Sequence, residues 1–177
     1  MLYSTIGYYS LILGLGVSLL IIFFSVKNFQ NSKTISVNIL SFTFLQFFLV
    51  VVSFLSLIIS FVLSDFSNET VFNNSHTTKP LFYKIAGTWG NHEGSLLLWL
   101  LVLTLFIFIF ILKTKNQPIK YKLLTLIFQQ IIIIGFFLFL IETSNPFNYL
   151  FPIPVEGLGL NPILQDPALA IHPPFYI

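Results

Sequence analysis

Most of the chemistry available to this 177-residue chain rests on three histidines in different settings. His172 stands directly before Pro173 and Pro174. A residue that precedes proline is pushed to extended backbone, so this imidazole projects from a rigid support. A neutral imidazole held in that way suits axial ligation of a haem iron, although a lone histidine is more often structural. His92 and Glu93 belong to Lys84-Ile85-Ala86-Gly87-Thr88-Trp89-Gly90-Asn91-His92-Glu93-Gly94-Ser95, which leads into an apolar run. Two readings stand there. One is a helix start capped by Asn91 or Ser95, with Glu93 favoured by the helix dipole. The other makes His92 and Glu93 contacts for a cofactor or partner. Trp89 can anchor the same stretch at a membrane interface, with its ring buried and its N–H bonded.

His76 lies in Asn-Ser-His-Thr-Thr without convergent partners and reads as a bystander. The whole stretch from Ser64 to Lys79 reads as a solvated connector. Asn68-Glu69-Thr70 and Asn73-Asn74-Ser75 match glycosylation sequons, which so Asn-rich a loop produces by chance. The chain has no cysteine, hence no disulfide, thiolate nucleophile or Cys-based metal site. It also lacks arginine while abounding in Phe, Ile, Asn and Lys, a bias that suggests an AT-rich genome and so an organelle. No nucleic-acid partner is expected.

These side chains must be positioned by segments built for lipid. The chain is 56% hydrophobic and 8% charged, against roughly 25% charged in soluble domains. Charge-free stretches run from Tyr3 to Val26, Ile39 to Leu63, Leu96 to Leu112 and Leu123 to Ile141. Each is near the roughly 20 residues that a helix needs to cross hydrocarbon. Backbone groups in lipid must bond within their own segment, so the expected fold is all-α and integral to the membrane. About four transmembrane helices are expected, near 3–26, 39–63, 96–112 and 123–141. No basic region precedes the first stretch and no small-residue cleavage site follows it, so it is read as a spanning helix. Residues 1–141 form a four-helix membrane region on this reading, and 142–177 a Pro-rich outer tail that ends in the His-Pro-Pro motif. Pro146, Pro152, Pro154, Pro162, Pro167, Pro173 and Pro174 stiffen that tail, which is too long for an ordinary connection.

Lysines orient the chain. Lys27 and Lys33 follow the first stretch and Lys113, Lys115, Lys120 and Lys122 the third, whereas only Lys79 and Lys84 lie between the second and third. Short basic loops stay on the cytoplasmic or matrix side. The N-terminus, the loop from Ser64 to Ser95 and the tail from Glu142 to Ile177 are therefore expected outside, together with Asp65, Glu69, Glu93, Glu142, Glu156 and Asp166. Within the helices, Ser10, Gly14 and Ser18 form a small-residue stripe suited to assembly with partner helices. Gln46, Ser53, Ser56 and Ser60 form a weakly polar stripe, and Gln129 and Gln130 sit mid-helix. No ionisable group interrupts the four stretches, which disfavours a transporter.

Two long motifs make the chain recognisable. Ala86-Gly87-Thr88-Trp89-Gly90-Asn91-His92-Glu93-Gly94-Ser95-Leu96-Leu97-Leu98-Trp99 is one, and Leu160-Asn161-Pro162-Ile163-Leu164-Gln165-Asp166-Pro167-Ala168-Leu169-Ala170-Ile171-His172-Pro173-Pro174 is the other. Together they resemble the N-terminal portion of the CcmF family of cytochrome c-type biogenesis proteins. That family is the membrane component of the haem lyase that joins haem to apocytochrome c. The resemblance implies that His172 is one of two external histidines that ligate the haem under transfer, its iron being the only metal expected. Trp89, His92, Glu93 and Asp166 are candidate contacts at the same outer site, with His92 at a family position of unassigned role. Leu158 and Gly159 depart from the polar or charged residues common there.

The family's tryptophan-rich tract, second external histidine and membrane histidines normally follow the point where this sequence ends. The resemblance is therefore to one product of a split gene, a non-autonomous part of a haem lyase whose catalytic residues are not identified. A partner chain or chains would carry the tract and share a transient b-type haem. A haem chaperone, apocytochrome c with its thiol-handling partner, and the lipid bilayer complete the expected contacts. The implied location is the mitochondrial inner membrane with both termini toward the intermembrane space, or a bacterial inner membrane facing the periplasm. The alternative function is a structural helix-packing subunit of a respiratory membrane complex, without haem chemistry.

Overall fold

The computed structural model describes residues 1–30, 37–114, 116–159, 166–168 and 170, without the side chains of Val37 and Asn38. Its elements are α1 (Leu2–Gln30), α2 (Val37–Val62), α3 (Glu69–Asn74), α4 (Leu81–Gly87), α5 (His92–Lys113) and α6 (Ile119–Glu142). Four of them, α1, α2, α5 and α6, are long and apolar enough to cross a membrane, as expected for an all-α integral membrane protein. They overrun the charge-free stretches because helical hydrogen bonding does not stop at the hydrocarbon edge and lysine stems can reach water from the last turn. Caps set the ends instead. Asn91 caps α5 by accepting from Gly94 N, and Pro118, whose φ of −54° suits a helix start, opens α6 three residues before Tyr121.

Each long helix buries one seam at a spacing of three and four residues. On α2 the seam is Ile39, Thr43, Gln46, Val50, Ser53, Leu57 and Ser60, all fully buried. On α1 it is Ser4, Gly7, Leu11, Gly14, Ser18, Ile21 and Ser25. Leu97, Leu100, Thr104, Ile107 and Ile111 continue the pattern on α5, and Leu126, Gln130, Ile133, Phe137 and Leu140 on α6. A repeat averaging 3.5 residues is that of left-handed helix packing. The four helices close a ring in which α1 touches α2 and α6, α2 touches α5, and α5 touches α6.

Small and polar residues line the seams because lipid rewards close backbone approach and internal pairing rather than burial of apolar area. A Cβ at Gly14 would lie 2.7 Å from the Phe137 ring, so the aromatic on α6 fills the space that glycine leaves. This corrects the expected role of the small stripe: its neighbour is a helix of the same chain. Gln46 Nε2 donates to Gln130 Oε1 at 2.9 Å, and Gln130 Nε2 donates back to Gln46 Oε1 at 2.9 Å. Gln46 Nε2 also reaches Ser18 Oγ at 2.6 Å, and that hydroxyl donates to Gly14 O at 3.0 Å. One node thus joins α1, α2 and α6. Ser53 Oγ adds a second link by donating to Gly7 O at 3.1 Å.

Replacing Gln46 or Gln130 alone by Leu is expected to leave a buried amide unpaired and to cost about 1–3 kcal/mol. The Gln46→Leu, Gln130→Leu double variant is expected to lose less than the two singles summed. Denaturant unfolding in detergent micelles measures both; additive losses would show that the amides do not act as a pair.

Candidate functional site

The end of the bundle away from Lys113 and Lys120 carries a folded cap. Asn68, expected to lie in a solvated connector, is instead fully buried. Its Oδ1 accepts from Val71 N at 3.0 Å and caps α3, while its Nδ2 donates to Ser4 Oγ at 3.0 Å and to Pro146 O at 2.9 Å. One side chain therefore ties α1, the connecting loop and the tail. Glu69 N donates to Asn148 O and Leu150 N to Ser67 O, both at 2.9 Å, around an isolated antiparallel bridge between Asn68 and Tyr149. Phe147 is buried where a Cβ on Gly7 would meet it at 2.3 Å. The N-terminal ammonium pairs with Asp65. Burial pushes the Asp65 carboxyl up, but hydrogen bonds from the ammonium and Ser67, with the ammonium's charge, outweigh it and hold the group below its ordinary value.

The second half of the tail docks on the same loop. Leu158 N donates to Phe72 O at 2.8 Å and Gly159 N to Ser75 O at 3.1 Å. Gly157 admits this approach, since a Cβ there would stand 2.1 Å from Ser75 O. Glu156 clamps the loop by accepting from Thr77 N at 2.9 Å and from the Thr77 hydroxyl. The Thr77 hydroxyl, then the Thr77 and Gly157 amides and nearby His76, bring the Glu156 carboxyl down to about 2. His76 Nδ1 stands 3.8 Å from Glu156 Oε1 and 2.9 Å from Thr78 Oγ1, as a neighbour of the clamp. The sequon reading obscured Asn68, although a helix cap followed by Glu was an available signal. Glu156 had no sequence signal, because its partner is 79 residues away.

The segment from Ala86 to Ser95 is a tight helix-to-helix corner. Asn91 Nδ2 donates to Gly87 O at 2.6 Å while its Oδ1 accepts from Gly94 N at 2.7 Å, so one amide closes α4 and opens α5. A side chain at Gly94 is excluded, because its Cβ would lie 1.6 Å from Thr88 O. His92 is the first residue of α5 and is exposed. Its Nδ1 pairs with Ser144 Oγ at 3.1 Å and its ring meets Phe139 edge-on at 6.3 Å, which leaves Nε2 outside this bond. Glu93 lies in the first turn of α5, where the helix dipole favours a carboxylate.

Trp89 has a long-range partner. Its Nε1 donates to Ala170 O at 2.9 Å, across 81 residues. Ala170 is buried and closes a short turn opened by Asp166, whose backbone O accepts from Ala170 N at 2.9 Å and whose Oδ1 accepts from Ala168 N at 2.8 Å. Asp166 is thus a cap for the turn, and its residue is exposed. The two motifs that looked separate in sequence meet at this bond. His172, two residues beyond Ala170, lies outside the described residues, as does the rest of its motif except 166–168 and 170. Earlier in the tail Phe151, Ile153, Val155 and Leu158 are exposed, with Val155 96% exposed.

Residues 89–177 match the cytochrome C assembly protein family. The chain is 52% identical over 128 residues to a cytochrome c-type biogenesis protein CycK of Rhizobium meliloti, covering 72% of this chain and 19% of that one. It is 42% identical over 170 residues to a CycK of Bradyrhizobium diazoefficiens, covering 95% and 26% of the two chains. It is also 42% identical over 134 residues to the CcmF of Escherichia coli, covering 75% and 21%. A solved structure titled cytochrome c heme lyase CcmF superimposes with a TM-score of 0.75 at 25% identity, over 82% of this chain and 25% of that one. This chain therefore spans about a fifth to a quarter of the length of these relatives.

Two contacts in the cap lend themselves to measurement. The Glu156 carboxyl sits at about 2, below its ordinary 4.5. A depressed value means that the clamp on Thr77 is at full strength above about pH 4.5 and is lost as pH falls toward 2. Amide exchange at Thr77, corrected for the intrinsic rate, is expected to accelerate across that window, and Glu156→Gln to show the faster exchange already at neutral pH. Trp89→Phe keeps the ring and removes the N–H. It is expected to raise opening of the turn at 166–170 about fivefold, the equivalent of about 1 kcal/mol for one hydrogen bond, read by proteolysis of the tail.

Proposed function

The chain belongs to the cytochrome C assembly protein family, and from that premise we propose that it is a subunit of a cytochrome c haem lyase. In this role it helps bind haem and attach it to apocytochrome c on the outer side of its membrane. The observation that carries the reading is the hydrogen bond from Trp89 to Ala170, which fixes the approach to His172 on the corner that begins α5. In this proposal His172, which a following proline disposes toward extended backbone, offers one axial nitrogen. Haem suits such a donor. A porphyrin supplies four nitrogens of its own, so the iron asks the protein only for axial ligands, and the described residues hold no cluster of three or more His, Cys, Asp or Glu for a self-contained metal site.

Haem is substrate here, a transient b-type group shared with a partner chain that supplies the second ligand and the aromatic tract. The thiols come from the apocytochrome, consistent with a chain that has no cysteine. Each thiol adds across a vinyl double bond, sulfur to one carbon and hydrogen to the other, with no net oxidation. Trp89 and Asp166 act by positioning the His172 segment, and His92 and Glu93 face the same outer end. A haem chaperone and the apocytochrome's thiol-handling partner complete the assembly. The lysine asymmetry supports an outward-facing end, and the arginine-free, Asn- and Lys-rich composition favours the intermembrane space of a mitochondrion, with the bacterial periplasm as the alternative setting; the relatives named above are bacterial.

His172→Ala removes the proposed donor nitrogen, and none of the bundle contacts described above involves that side chain. Covalent haem attachment to c-type cytochromes is expected to fall more than about tenfold, since even outer-shell partners of a metal ligand are worth 10–100-fold. Insertion and co-purification with partners are expected to persist. Normal maturation would remove His172 as a ligand; failure only through loss of the assembly would favour the helix-packing reading.

A further inference from the structure

The four-helix ring is unevenly covered. In the most apolar stretches of α1 and α2, 39% and 44% of residues are buried, but only 28% in each of α5 and α6. Between α5 and α6 runs a groove of about 350 Å³ lined by Leu96, Ile132, Gly135, Phe136 and Phe139, which continues through Ile132 to a smaller recess at Leu103, Phe106 and Gln129. Gln129, Ile132, Phe136 and Phe139 recur at three and four residues, so the groove follows one face of α6.

Two details separate this face from a lipid-facing one. Gln129 lies midway along α6, one residue from the satisfied Gln130, yet its Oε1 is buried with no hydrogen-bond partner. Acyl chains cannot donate to it, and an orphan amide acceptor in hydrocarbon is costly. A Cβ built on Gly135 would meet nothing within 4 Å, whereas Gly7 and Gly14 are each filled by a phenylalanine. This glycine leaves a hollow two turns from an unmet acceptor.

We propose that the α5–α6 groove is the seat of a transmembrane helix from the remainder of the family protein. That helix donates from a Ser, Thr, Asn or Gln to Gln129 Oε1 and sets a larger side chain over Gly135. The occupant follows from size: relatives that match this chain carry roughly three quarters or more of their length outside the matched part. The proposal rests on the lyase-subunit reading only in needing that remainder as a partner. Close small-residue contact combined with one interhelical hydrogen bond is how helices associate where apolar burial supplies no drive.

The chain has no cysteine, so Ile132→Cys introduces a unique thiol in the groove. In native membranes, a maleimide-benzophenone photocrosslinker at Ile132→Cys is expected to yield an adduct whose partner peptide is a transmembrane segment of a larger cytochrome c assembly chain. Adding Gln129→Leu is expected to lower the yield about threefold, the scale of one interhelical hydrogen bond. Gly135→Leu, whose Cβ would meet no atom of its own chain within 4 Å, is expected to lower it further with insertion unchanged. An adduct of two copies of this chain, an adduct with an unrelated protein, or labelling of lipid alone would each overturn the proposal. Haem attachment is scored separately: an adduct with the assembly chain in membranes that do not mature cytochrome c would keep the groove and reject the lyase reading.

Discussion

Polar groups in hydrocarbon must find their partners inside the protein, and the architecture of this chain follows from that constraint. Gln46 and Gln130 satisfy each other amide to amide, and the spare donor of Gln46 reaches Ser18. Because those residues lie on three helices, their mutual satisfaction fixes the register of α1, α2 and α6 at one depth. Glycine and serine on α1 then let Phe137 come within contact distance, so packing and hydrogen bonding specify the same arrangement. Gln129, on the adjacent face of α6, keeps an unmet acceptor beside the α5–α6 groove.

Above the bundle the same logic operates in a wetter setting. Asn68 is buried among α1, the loop and the tail, and its three hydrogen bonds make one solid of pieces that belong to distant parts of the sequence. Glu156 adds a charged clamp farther along the tail, and Trp89 a third tie near its end. The Ala86–Ser95 corner gains its rigidity from Asn91 and from the absence of a side chain at Gly94. A rigid corner is what allows one indole N–H to fix the turn that precedes His172.

This division of labour fits a part of a larger assembly. The described residues provide a scaffold and a tie between Trp89 and Ala170, and the reaction proposed for the site needs donors, an aromatic platform and thiols from other chains. The exposed apolar residues of the tail, Phe151, Val155 and Leu158 among them, belong to the same end of the bundle as His92 and Trp89.

Composition and lysine placement were enough to determine an all-α membrane chain with four spanning helices, because the cost of charge in lipid and the length of a helix across hydrocarbon are local properties of a segment. The corner at Asn91 was also legible, since capping acts over three residues. Helix ends were less so: charge marks the edge of lipid, whereas caps such as Pro118 mark the end of a helix. Which face each stripe meets was decided only by tertiary structure, and so the small residues of α1 proved to receive Phe137 of the same chain. The loop from Ser64 to Lys79 looked solvated because its residues are polar, but burial of Asn68 depends on acceptors at Ser4 and Pro146 that no local pattern encodes. The meeting of Trp89 with Ala170 is of the same kind: a hydrogen bond across 81 residues exists only once four helices have brought both ends of it together.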